Sequence, residues 1–129
     1  MSEAAAPRVL VVDDANLVRM YYRGVLERAG CAVDEAHNGV EAMEMVLRRP
    51  YGLLVLDVNM PKMDGLTFLR ALRRREAPVR AIPALVTSTE AGDGDRAAAR
   101  AAGANLYLVK PLAEEALAAH ALALLGRAR

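Results

Sequence analysis

Five residues that can do chemistry stand at the ends of apolar runs in this sequence. Asp13 and Asp14 follow the run VLVV, and Asp57 ends the run LLVLD. Thr87 and Lys110 end two later runs, ALVT and LYLVK. Burying a carboxylate is unfavourable unless it is paired or bound to a cation. The position of Asp57 therefore indicates a function beyond packing.

These apolar runs alternate with segments of helical periodicity, the pattern of repeated strand and helix units around a parallel sheet. Three runs are apolar throughout, as expected for strands buried on both faces. The predicted strands are Arg8–Val12, Ala32–Ala36, Leu53–Asp57, residues 81–87 and Leu106–Val109. The predicted helices are residues 15–29, Gly39–Arg48, and residues 65–75, 95–102 and 112–125. In the first helix the pattern predicts a buried stripe of Leu17, Val18, Tyr21, Val25 and Leu26, with Arg19, Arg23 and Glu27 on the other side.

Five such strands with right-handed crossovers form a doubly wound α/β sheet, for which we predict the order 2-1-3-4-5. Ligands bind such sheets beyond the carboxyl ends of the strands, where the winding reverses between the first and third strands. Asp13, Asp14 and Asp57 converge there, and each close pair of carboxylates repels by about 4 kcal/mol at an effective dielectric of about 20. A Mg²⁺ ion would offset this repulsion, because it binds carboxylates and phosphate oxygens. With Lys110 and Thr87 at the same edge, the site suits a phosphoryl group and Asp57 as the nucleophile.

The composition narrows the class of protein. The 129 residues fit one globular domain, and 17 basic against 16 acidic residues give a net charge of +1. This balance gives no reason to expect direct binding of nucleic acid, and no run is long enough for membrane insertion. The single Cys31 cannot form an intrachain disulfide, and the amino-terminal segment does not read as a signal peptide. We expect a cytoplasmic protein.

Four motifs, in this order, resemble those of the receiver domain of bacterial two-component response regulators, including the chemotaxis receivers. They are VVDD (11–14), LDVNMPKMDG (56–65), VTS (86–88) and AGANLYLVKP (102–111). The resemblance covers nearly all of the chain and implies the flavodoxin-like receiver fold with five helices. It divides the chain into a short tail, residues 1–7, and a receiver domain, residues 8–129.

The resemblance also implies the roles of the site residues. Asp57 would accept a phosphoryl group from a histidine kinase or a histidine phosphotransfer protein. Asp13, Asp14, Asp57 and the backbone carbonyl of Asn59 would form the Mg²⁺ site, with Asp13 acting through a metal-bound water. Lys110 would contact the phosphoryl oxygens. Thr87 and Tyr107 would carry the signal to a protein-binding face made of the fourth helix, fifth strand and fifth helix.

The resemblance predicts a single-domain response regulator that acts on a downstream protein target, as a monomer or a phosphorylation-linked dimer. Such a protein would be a signalling phosphoacceptor, with no enzymatic activity beyond its own phosphorylation and dephosphorylation. One departure from the family pattern is the segment 88–103, which is about one residue longer than is common. Gly92 and Gly94 should delay or fray the fourth helix there.

Three other classes of protein are alternatives to this interpretation. An aspartyl-phosphate hydrolase of the haloacid dehalogenase type needs a second Asp two residues after its nucleophile, where this chain has Asn59, which cannot transfer protons. A flavodoxin-like flavin carrier needs a phosphate-binding loop after the first strand, where Asp13 and Asp14 would repel the phosphate. A receiver-fold scaffold that binds a partner without phosphorylation stays open as the alternative, although such proteins usually lack part of the acidic set or the lysine.

Overall fold

The computed structural model describes residues 5–127 and contains a five-stranded parallel sheet in the order β2-β1-β3-β4-β5. Helices alternate with the strands along the chain, which confirms the predicted doubly wound fold. The strands are β1 Arg8–Val12, β2 Ala32–Ala36, β3 Leu53–Asp57, β4 Ala84–Ser88 and β5 Leu106–Val109. The helices are α1 Asn16–Arg28, α2 Gly39–Arg48, α3 Gly65–Arg73, α4 Asp93–Ala102 and α5 Glu114–Leu124.

Helices cover the sheet on both faces, and each face has its own hydrophobic core. Helices α1 and α5 pack through Leu26 and Leu117 on the face that carries Val11. Helices α2, α3 and α4 cover the opposite face, where Phe68 is fully buried beside Leu56. Because both faces are covered, β1 and β3 need apolar residues at nearly every position, as the sequence has them.

The two-residue alternation of the strands decides which side chains share a face. On β1, β3, β4 and β5, the side chains of Val11, Val55, Leu85 and Leu108 pack in the core beneath α1 and α5. The residues two positions further along these strands, at the carboxyl end of the sheet, are Asp13, Asp57, Thr87 and Lys110. The alternation therefore sets all four chemically active side chains on the α1 and α5 side of the sheet edge.

Strand β4 and helix α4 begin at different residues from those predicted. Strand β4 begins at Ala84 and not at residue 81, because a 3-10 turn occupies Val79–Ala81 and Pro83 has no N–H to donate to the ladder. Helix α4 begins at Asp93, two residues earlier than predicted, so Gly92 and Gly94 do not delay it. The carbonyl of Gly92 accepts the first helical hydrogen bonds, and Asp93 and Asp95 lie near the positive helix end, which favours acidic side chains.

Three helices are shorter than predicted at their ends. Helix α1 begins one residue later and ends one residue earlier, and α3 ends at Arg73, two residues early. Helix α5 begins at Glu114, because Ala113 has an extended backbone as the N-cap residue. Within the described residues, 5–127, none of these helices has the length and hydropathy needed to cross a lipid bilayer.

The predicted buried stripe of α1 is wrong in part. Leu17 is 77% exposed and Tyr21 is 42% exposed, whereas Tyr22 and Arg19 are almost fully buried. Arg19 can be buried because its guanidinium donates to the Glu35 carboxylate of β2 and to the backbone carbonyl of Asp13. The helix is therefore rotated from the face that hydrophobicity alone selects.

Candidate functional site

Three carboxylates and one ammonium group meet at the carboxyl end of the sheet, between β1, β3 and β5. One oxygen atom from each of Asp13, Asp14 and Asp57 lies within 4.8 Å of the others. Lys110 Nζ lies 2.9 Å from Asp13 Oδ2 and 3.1 Å from Asp57 Oδ1. Asp13 and Asp57 are buried and Asp14 is exposed, so the cluster opens to solvent on the side of Asp14. The structure thus brings together four of the residues that the sequence predicts for the site.

Burial and repulsion shape the charge of this cluster. Burial, followed by the charge of Asp13, raises the pKa of Asp57 from 3.8 to about 6, even though Lys110 acts in the opposite direction. Burial also disfavours the charged form of Lys110, but the carboxylates of Asp13 and Asp57 outweigh it and raise the pKa of the lysine. Lys110 is therefore a fixed cation, while Asp57 is an ionised but poorly compensated carboxylate at neutral pH.

The donor set fits a hard divalent cation. Three carboxylate oxygens on one side of a solvent-open pocket are the ligands that Mg²⁺ takes when it retains several waters. A single ammonium group, shared between Asp13 and Asp57, leaves this cluster with excess negative charge. Asn59 lies in the exposed loop two residues beyond Asp57, and the role of its carbonyl stays a prediction.

Hydrogen bonds from α1 fix the loop that holds Asp13. The backbone N–H of Ala15 donates to Asp13 Oδ1 at 2.9 Å, and Arg19 Nη1 donates to the Asp13 carbonyl at 2.6 Å. The same guanidinium donates to Glu35 Oε1 at 2.9 Å. Sequence reasoning placed Arg19 in solvent. The signal that could have found it is Glu35, an acid near the end of a strand that lies beside β1 in the predicted order.

Close backbone packing positions Asp57 from the other side. Helix α3 begins at Gly65, whose N–H donates to the carbonyl of Val58 at 2.8 Å. A Cβ atom at position 65 would lie 2.0 Å from the carbonyl oxygen of Asp57, so only glycine fits there. The side chain of Asp64 caps the helix by accepting from Thr67 N at 2.9 Å. The glycine of the MDG motif therefore lets α3 contact the backbone of Asp57.

Thr87 and Tyr107 lie apart in the structure. Thr87 is fully buried at the end of β4, next to Asp57 in the strand register. Tyr107 belongs to the core on the opposite face of the sheet, where its hydroxyl donates to the carbonyl of Glu90 at 2.6 Å. The guanidinium of Arg96 from α4 lies 5.2 Å from the centre of its ring. The two residues therefore lie on the paired strands β4 and β5, but their side chains face opposite sides of the sheet.

Sequence reasoning missed one residue beside the site, Tyr22 of α1. Its side chain is 3% exposed, and burial raises the pKa of its phenol to about 12. It lines a cleft of about 560 Å³ between α1 and the loop after β5, together with Thr89, Lys110 and Pro111. The helical pattern favoured Tyr21 for the buried position, and no local signal distinguishes the two adjacent tyrosines.

Comparison with known proteins identifies the family that this fold and edge cluster define. The family model described as the response regulator receiver domain matches residues 9–122. The chain belongs to this family. It is 43% identical over 122 residues to the response regulator MprA of Mycobacterium ulcerans, which covers 95% of this chain and 51% of that protein. The chain thus spans about half the length of the curated relatives that it matches.

Solved structures agree with this assignment. The chemotaxis response regulator CheY4 of Vibrio cholerae superposes with a TM-score of 0.86 at 31% identity, over 92% of this chain and 98% of that one. A putative response regulator from Chloroflexus aurantiacus superposes with a TM-score of 0.88 at 30% identity, over 95% and 99% of the two chains. The predicted resemblance and the predicted fold are both confirmed.

Proposed function

We propose that this receiver domain is a phosphoacceptor of a two-component or phosphorelay system, and that Asp57 is the residue that becomes phosphorylated. The observation that supports this most directly is the position of Asp57, buried beside Asp13 and Asp14 and 3.1 Å from the ammonium group of Lys110. A carboxylate placed this way lies beside a cation that could also contact the oxygens of a transferred phosphoryl group. The donor would be a histidine kinase or a histidine phosphotransfer protein.

In the proposed reaction, a carboxylate oxygen of Asp57 forms a bond to phosphorus while the bond from phosphorus to the donor nitrogen breaks. The pKa of about 6 leaves Asp57 mostly ionised at neutral pH and hence able to attack. Lys110 would orient the transferred group through its ammonium, because it already lies between Asp13 and Asp57. When bound by Asp13, Asp14, Asp57 and the Asn59 carbonyl, Mg²⁺ would neutralise charge on the phosphoryl oxygens.

The proposed output is a contact with another protein. Phosphorylation adds a charge of roughly −1.5 to −2 next to Thr87, which can then turn towards the phosphoryl oxygens. Tyr107, Arg96 and Glu90 lie at the end of the segment that connects Thr87 to α4, so this face, with β5 and α5, is the proposed binding surface. We also propose that residues 8–129 form the functional receiver unit, as a monomer or a phosphorylation-linked dimer in the cytoplasm. The single-domain organisation stays a prediction, since the curated relatives are about twice as long.

The test is the intact mass of the protein after incubation with Mg²⁺ and a small acyl phosphate. We expect one added phosphoryl group in the unaltered protein and none in Asp57→Asn or after the metal is chelated. Asp64→Asn is the matched control, since Asp64 is an exposed aspartate of the same loop, and it should retain the gain. No added mass, even with a panel of histidine kinases, would refute the phosphoacceptor and favour the unphosphorylated scaffold.

A further inference from the structure

The hydroxyl of Thr87 has no hydrogen-bond partner. Among the described residues, 5–127, its Oγ1 is the only buried side-chain polar atom in this condition. A buried hydroxyl without a partner is unfavourable, and most such groups in folded proteins are paired. The hydroxyl of Thr87 is therefore available to form a hydrogen bond with a neighbouring group.

The phenol of Tyr22 is one of those groups. Tyr22 packs in the core beneath α1 and α5 with Val11, Val55 and Leu85, and Thr87 follows Leu85 by two residues on the same face. Tyr22 lines the same cleft as Lys110, and Thr87, Lys110 and Asp13 all influence the pKa of its phenol. The two hydroxyl groups form no hydrogen bond in this structure, so pairing them requires a rotation of the side chains.

We propose that Tyr22 is a positioning residue for Thr87, and that its phenol competes with the phosphoryl group on Asp57 for the Thr87 hydroxyl. This inference rests on the proposed function. In the unphosphorylated protein, rotation of Thr87 towards α1 gives its hydroxyl a partner in Tyr22. In the phosphorylated protein the Thr87 hydroxyl turns to the phosphoryl oxygens, and its hydrogen bond with the Tyr22 phenol is lost. Tyr22 thereby weakens the response to phosphorylation.

The test measures how tightly Asp57 holds a phosphoryl mimic, beryllium trifluoride with Mg²⁺, by calorimetry. Tyr22→Phe removes only the hydroxyl, so the apolar packing beneath the site is retained. Losing one net hydrogen bond of the resting state should tighten binding of the mimic about five-fold. Tyr22→Leu also lacks the hydroxyl and should change the affinity in the same direction, which covers a failure of either variant to fold.

A double-mutant cycle separates this role from a structural one. In Thr87→Val, which keeps the shape of the side chain but lacks the hydroxyl, adding Tyr22→Phe should leave the affinity unchanged. Tyr51→Phe is the matched control. Tyr51 is also buried, but its hydroxyl donates to Asp34 at 2.6 Å, away from the site, and its loss should not alter binding of the mimic.

Each result decides between the two proposals. Unchanged or weaker binding in Tyr22→Phe, or an equal change in the Thr87→Val background, overturns the role of Tyr22 while leaving the phosphoacceptor intact. Failure of the unaltered protein both to bind the mimic and to gain phosphoryl mass overturns the proposed function itself, and the role of Tyr22 with it. Tighter binding that depends on Thr87 supports both.

Discussion

Replacing Asp57 by asparagine should stabilise the metal-free protein. The carboxylate is buried beside Asp13, and its pKa rises from 3.8 to about 6 on folding. At 1.36 kcal/mol for each pKa unit, this rise corresponds to about 3 kcal/mol of folding free energy that the charged carboxylate removes. Asparagine has nearly the same shape and no charge. We therefore expect Asp57→Asn to raise the free energy of unfolding by up to about 3 kcal/mol at pH 7.5.

The pH dependence of this difference follows from the direction of the shift. Below about pH 4 the carboxyl is protonated in both the folded and the unfolded chain, so the variant has no advantage. Between about pH 4 and pH 6 the unfolded chain loses its proton while the folded protein retains it. Stability of the unaltered protein therefore falls through this window relative to Asp57→Asn, and the difference is constant above it.

The assay is urea unfolding of both proteins from pH 4 to pH 8 with the metal chelated, with the slope on urea as a check that the same surface is exposed. Adding Mg²⁺ should reduce the difference, because a bound cation offsets the repulsion. Asp34→Asn is a control of opposite sign. Burial opposes the charge of Asp34, but Tyr51, Arg49 and Arg8 outweigh it and lower its pKa, so this substitution should destabilise at pH 7.5. Equal stability at pH 7.5, or a difference at pH 4 as large as the one at pH 7.5, would refute the reasoning.

Three further substitutions test the packing around the site by urea unfolding. Gly65→Ala should destabilise the protein by about 3 kcal/mol or more, since the new Cβ would lie 2.0 Å from the Asp57 carbonyl oxygen; stability equal to the unaltered protein would contradict this contact. Gly94→Ala in α4 meets nothing within 4 Å and should stabilise by about 0.5 to 1 kcal/mol, so a loss of stability would count against the helix. Arg73→Lys should cost about 2 kcal/mol, because the guanidinium donates to the carbonyls of residues 80, 82 and 103 and lysine cannot reach all three. The exposed Arg74→Lys is its control, and equal effects of the two would sink this role.

The sheet and the acidic cluster were predictable because they depend on short-range patterns. Apolar runs mark buried strands, and the order of the strands places Asp13 and Asp57 at one edge. Helix α1 was harder, because a buried Arg19 depends on Glu35, a residue that is distant in sequence. Arg73, in the last turn of α3, donates to carbonyls that follow α4 and precede β4, and these partners are distant in sequence. Only the folded chain brings these groups together.

The roles of individual site residues need more than the pattern. Thr87 and Tyr107 are two strand residues whose types also suit simple packing, and the strand alternation sets them on opposite faces of the sheet. The importance of Tyr22 depends on which of two adjacent tyrosines faces the core. The rotation of α1 about its axis decides which tyrosine is buried, and that rotation depends on the burial of Arg19. The helical period of the sequence does not determine it.

The missing side chain at position 65 has a mechanical consequence. With Gly65 against the Asp57 carbonyl, the start of α3 and the end of β3 pack backbone against backbone, and we expect them to move together. We therefore expect a displacement at Asp57 to be transmitted through Thr87 and the segment leading to α4. There the chain has room, since a Cβ atom added at Gly94 would meet nothing within 4 Å. The tight contact with α3 on one side and the looser segment before α4 on the other would direct a structural change at Asp57 towards α4.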